Sequence, residues 1–126
     1  TISMALTAAE TGHLFLGTLH TSGAPNTINR LIDVFPPGQQ GQIRAQIAES
    51  LKMIITQKLI KKKDGSGRVA AFEILICTPP IKNLIREAKV HQIPSVMQTS
   101  QKDGMITMEK SIEVLTQSGA IIGAVE

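Results

Sequence analysis

Hydrophobic residues recur along this chain with two periods, and the periods divide it into elements. Residues 2–11 place Ile2, Leu6 and Ala9 on one side of a helix that Gly12 stops. Residues 11–21, TGHLFLGTLHT, are an apolar run with a histidine near each end. Strand side chains alternate faces, so the odd spacing would put His13 and His20 on opposite faces of one ideal strand. The run predicts a strand over 13–19, with His20 in the loop beyond its C-terminal end. In open α/β sheets that edge binds ligands.

Ser22–Pro25 starts a helix, and Ile28, Leu31, Ile32 and Phe35 follow at i, i+3, i+4 and i+7 before Pro36-Pro37 ends it. A second helix is expected over about 38–52, striped by Ile43, Ile47 and Leu51. Two β-rich runs, 53–61 and 68–77, flank Asp64-Gly65-Ser66-Gly67, a hairpin signal. In the second run Ala70, Phe72, Ile74 and Ile76 share one face, and Glu73 lies on the other among Val69, Ala71 and Leu75. Thr78-Pro79-Pro80 opens a helix with Ile81, Leu84, Ile85 and Ala88 inward. A stretch broken by Pro94 spans about 90–99. Thr107 caps a last helix, with Met108, Ile112 and Leu115 inward, that ends at Gly119.

This order is an α/β pattern with a single parallel-type strand, so most of a central sheet is missing. The chain also opens at Thr1 rather than Met. It is expected to be a fragment of a longer protein.

At 126 residues the chain is one domain or a piece of one. With three Phe and no Trp or Tyr, its core must be aliphatic, and base stacking has almost nothing to work with. The net charge of +3 is too mild to argue for a nucleic-acid or membrane partner. A lone Cys77 excludes a disulfide framework and any multi-cysteine zinc site, and fits a reducing, cytosolic setting. No run approaches the roughly 18 apolar residues of a membrane span.

No GxxxxGK[ST], GxSxG or HExxH is present, and His13, His20 and His91 lack metal-helix spacing. No self-contained active site is expected. Two readings of the histidines stand. His13 ends a strand and His20 sits in a loop, or the pair senses a phosphate or an interface, imidazole being able to donate to a phosphate oxygen. Thr18 and Thr21 add hydroxyls at the same edge. Lys58, Lys61, Lys62, Lys63 and Arg68 surround the hairpin turn, either as a solvated guard against edge pairing or as a contact for an acidic partner. In PPIKNLIRE, residues 79–87, Ile81, Leu84 and Ile85 use up the inward stripe. Lys82, Asn83, Arg86 and Glu87 are left outside, and Lys82 and Arg86 form a like-charged i,i+4 pair with no carboxylate at that spacing. That outer face is ordinary surface or a docking surface.

TGHLFLGTLHT resembles the histidine box of the secretion ATPases that drive type IV pili and type II secretion. ALTAAETGHLFLGTLHTSGAPNTINRLIDVFP is similar almost throughout to their pilus-retraction (twitching-motility) branch, and KDGSGRVAAFEIL to its hairpin and following strand. PPIKNLIRE resembles that branch's AIRNLIRE signature, with Pro80 in place of Ala and Lys82 in place of the first Arg. Lys keeps the charge but loses the planar fork, and Pro80 suits a helix start. The likeness covers nearly all of residues 4–118.

The resemblance implies the C-terminal part of a RecA-like P-loop ATPase domain. Residues 1–77 would hold the core portion, with histidine box and β-hairpin, and 78–126 a C-terminal helical bundle. The family's Walker A, Asp box and Walker B would lie upstream, so this chain alone is expected to be inactive. ATP and Mg²⁺ are implied for the parent protein. His13 and His20 would serve at the γ-phosphate and subunit interface, with Thr18 and Thr21 beside them. Pro80, Ile81, Lys82, Asn83, Leu84, Ile85, Arg86 and Glu87 would form the retraction helix. The family works as a hexameric ring at the cytoplasmic face of the bacterial inner membrane, with a platform protein as partner, and depolymerises pilin. Two alternatives remain: the pilus-assembly or type II secretion branch, whose common tetracysteine zinc form a single cysteine excludes, and a non-catalytic interaction module.

Overall fold

A computed structural model of the chain describes residues 1–122. Helix α1 (Ile2–Glu10) leads into an extended segment, then α2 (Ala24–Asp33) and, after a 3₁₀ turn at Pro37–Gln39, α3 (Gln40–Ser50). Strands β1 (Met53–Lys61) and β2 (Arg68–Ile76) follow, then α4 (Pro79–Arg86), α5 (Ile93–Gln98) and α6 (Met108–Gln117), with 3₁₀ turns before α5 and α6. The two strands pair antiparallel in unbroken register from Met53↔Ile76 to Lys61↔Arg68. At the turn, the Asp64 carboxylate accepts from both the amide and the hydroxyl of Ser66. That local bonding is why Asp-Gly-Ser-Gly reverses the chain here.

The core is aliphatic, as the composition requires. Ile28, Ile32, Ile47, Leu75, Ile81, Ile85, Ile93, Met97 and Met105 are its largest fully buried side chains. Each buried Ile or Leu contributes on the order of 1.5–3 kcal/mol relative to exposure. One cluster takes in α2, α3, β1, β2, α4 and α5, so packing runs unbroken across the 77/78 junction. In β2 the face carrying Glu73 is the core side: Ala71 and Leu75 are fully buried and Cys77 nearly so. The edge of β2 away from β1 meets α6 and the segment before it: Ser111 Oγ accepts from the Phe72 amide (3.0 Å), and Ile106 bridges Ile74. Thr107 caps α6 as expected, its hydroxyl accepting from the Lys110 amide (3.1 Å).

Two expectations fail. Residues 13–19 form no strand: among the described residues, the backbone from Leu14 to His20 makes no backbone hydrogen bond. Among the described residues the sheet has only β1 and β2, and an apolar run without a neighbouring ladder stays merely extended. The argument that strand parity separates the two histidines loses its basis, as does the sheet edge for His20. Ala88 is not inward either. α4 stops at Arg86, and Ala88 sits exposed at φ 60, while the Lys89 amide turns back to the Leu84 carbonyl (2.8 Å). Capping bonds of this kind need a left-handed residue just past the helix, and here an alanine takes that place.

Candidate functional site

His20 lies at the entrance to α2, in an open cleft lined by His20, Thr21, Ser22, Asn26, Asn29, Arg30 and Asp33. The polar stripe at 22, 26, 29, 30 and 33 is the face of α2 opposite its buried Ile28 and Ile32. The loop before the helix is held by side chains of its first turns. Asn26 donates its amide to the Ser22 carbonyl (2.8 Å), and Thr27 donates its hydroxyl to the Gly23 carbonyl (2.9 Å). Thr27 has a single hydroxyl proton and spends it there, so Thr21 is the donor in the 2.6 Å contact between the two threonines. The first amide of the helix, Ala24 N–H, is already taken by the Glu73 carboxylate (2.8 Å).

His20 and Thr21 thus share one cleft. Thr18 is exposed and does not line it. His13 belongs to a separate open cleft with Ser3, Met4, Thr7, Ala8 and Thr11, and its Nδ1 is 3.3 Å from the Thr11 hydroxyl. The structure therefore does not bring the two histidines together.

Helix α4 starts with Pro79 and Pro80 in its first turn, where a missing amide proton costs nothing. Ile81 and Ile85 are fully buried, and Leu84 is partly buried against the core. Arg86 has no carboxylate at helix spacing but finds one across the fold. Its guanidinium forks between Asn83 Oδ1 on its own helix and Glu49 on α3, at 2.9 Å from the latter. The hydrogen bond and charge of Arg86 hold the Glu49 carboxyl below its ordinary range. Lys82 is half-buried rather than outside, and Glu87 is exposed with Lys89 3.8 Å away. Cys77 is buried, and desolvation pushes its thiol up to about 11, which removes the thiolate needed of a nucleophile.

Sequence reasoning missed Asn26, Asn29, Arg30 and Asp33, although their i, i+3, i+4, i+7 spacing was a readable second stripe. It could not find the Glu73 and Glu49 contacts, because each joins residues far apart in sequence.

The profile described as "Type II/IV secretion system protein" matches residues 1–66. The chain belongs to this family. It is 54% identical over 121 residues to a twitching motility protein of Neisseria gonorrhoeae, covering 96% of this chain and 32% of the relative. To the type IV pilus retraction ATPase PilT of Pseudomonas aeruginosa it is 53% identical over 121 residues, covering 96% and 35%. A crystal structure of the pilus retraction motor PilT with bound ADP superposes with a TM-score of 0.84 at 46% identity, over 95% of this chain and 33% of that one. The chain therefore spans about a third of the length of the curated relatives it matches. The likeness bears out the expected fold class: a mixed helix-and-sheet part of a RecA-like ATPase domain. Among the described residues, no helix is long and apolar enough to cross a membrane.

Proposed function

We propose that this chain is part of a motor that powers type IV pilus retraction by coupling ATP hydrolysis to pilin depolymerisation. The observation that carries the reading is identity above one half, sustained over nearly the whole chain, with proteins named for twitching motility and pilus retraction. In this reading the parent protein assembles as a hexameric ring at the cytoplasmic face of the inner membrane and works against a platform protein. Residues 1–77 belong to its ATPase core and 78–126 to its C-terminal helical region.

The His20 cleft fits the phosphate end of a nucleotide. His20, Asn26 and Arg30 offer N–H donors, and Thr21 and Ser22 are hydroxyl residues of the same wall. In this reading ATP and Mg²⁺ are cofactors of the parent protein. We assign this chain a phosphate-facing edge. His20, with Thr21, would sense phosphate, Thr18 would play the smaller part, and His13 would brace the segment from its own cleft. Residues 80–87, most of α4 with Glu87 just past its end, would carry motor function through Lys82 and the Arg86–Glu49 tie.

The test is purification of the full-length protein and its expression in a retraction-deficient, piliated host. ATP turnover with restored twitching supports the reading. Turnover with secretion or assembly restored instead would move the chain to a sister branch. No turnover would leave a non-catalytic docking module. Equal losses in His13→Ala and His20→Ala variants would refute the division of labour between the histidines.

A further inference from the structure

Glu73 is the one acid on the core-facing side of β2, between Ala71 and Leu75, which are both fully buried. A carboxylate in that company costs desolvation unless it is bonded. Its Oε1 accepts from the Ala24 amide at 2.8 Å, across 49 residues of sequence. Three other side-chain bonds hold the loop between His20 and Ala24, and all of them come from residues 21–27. Glu73 is the single long-range side-chain hydrogen bond on this loop among the described residues. Gly23 takes φ 89, a conformation that lets the chain swing into α2 directly beneath the carboxylate. A negative charge at a helix N-terminus is also favourable to the helix dipole.

We propose that Glu73 is a positioning residue for the His20 loop. It anchors the first turn of α2 to the hairpin, and through Thr27 and Thr21 it sets where His20 stands in the cleft. It touches no substrate, and its effect on turnover rests on the phosphate-facing role given to His20 above.

The experiment uses the full-length protein carrying Glu73→Ala, Glu73→Gln, His20→Ala and the Glu73→Ala/His20→Ala double change. Glu73→Ala is expected to lower kcat for ATP by about ten- to a hundredfold, the upper end being the scale of a group misplaced by about 1 Å. Glu73→Gln keeps an acceptor oxygen and should recover most of the loss. The double variant should be no slower than His20→Ala alone, because both changes act through one side chain. Additive losses, or no rescue by glutamine, would overturn the proposal. Amide hydrogen exchange gives a readout independent of turnover: Glu73→Ala should speed exchange at Ala24 while β1 and β2 stay protected. Unchanged protection there overturns the proposal even if the wild type proves inactive, whereas inactivity of the wild type by itself sinks only the motor reading. If Glu73→Ala fails to fold, Glu73→Gln is compared with Thr21→Val, which cuts the same chain of bonds at its other end. A kcat indistinguishable from wild type in Thr21→Val would equally overturn the proposal.

Discussion

Two stretches of this chain have similar hydrophobic content and opposite fates. In α4, Ile81 and Ile85 are fully buried. In the segment before α2, Leu14 is 83% exposed and Leu16 85%. A helix satisfies its backbone internally and needs only one packed face, which α4 finds against α3 and α5. An extended segment needs neighbours on its edges before its apolar side chains can be covered. Hydrophobicity alone therefore decides neither burial nor secondary structure; the supply of partner groups does.

Substitutions can break this contrast, and the largest effect is expected at α4. Ile85→Ala should cost this chain about 2–5 kcal/mol in urea unfolding. A cost under ~1 kcal/mol would show that the cluster is loosely packed. Cys77 gives the next effect, read as a rate. Alkylation at pH 8 should run at least about tenfold slower in the folded chain than in urea. The raised folded value also fixes a sign: its stabilisation is intact below the free-thiol value of 9.0 and is lost as pH rises towards about 11.

Thr107→Ala should cost about 1 kcal/mol by removing the α6 cap. Ala88→Gly should instead add about 0.5–1 kcal/mol, because alanine is strained at positive φ. Glu49→Gln should have a small, salt-sensitive effect. Glu49 is lowered in the folded state, so its contribution is present above the ordinary value of 4.5 and fades as pH falls through the folded one. Leu16→Ala should leave the urea midpoint of this chain unchanged, completing the contrast with Ile85→Ala.

Most of the helices and both hairpin strands were legible in the sequence, for a shared reason. Ile28, Ile32, Ile43, Ile47, Ile81 and Ile85 are spaced so that a single face pattern suffices, and Asp64-Gly65-Ser66-Gly67 bonds to itself. The segment from His13 to Leu19 was misread because its strand potential depends on neighbours that a period cannot reveal. In the cleft, His20 and Thr21 were singled out by the motif, and the α2 stripe of Asn26, Arg30 and Asp33 was a readable pattern. Glu73, by contrast, looked like one polar residue on a mixed strand face. Only the fold brings it to Ala24, and only the fold brings Glu49 to Arg86.

The bond between Glu73 and Ala24 also has a place in time. Closing a chain loop costs entropy that grows with the logarithm of its length. The β1–β2 turn closes over a few residues, on a scale of about 1–10 μs for hairpins, whereas the Glu73 bond spans 49. The hairpin is expected to be in place before the carboxylate on it can reach α2. The loop carrying His20 would then be the last part of this region to order and the first to let go, so its opening can occur without unfolding the core beneath it.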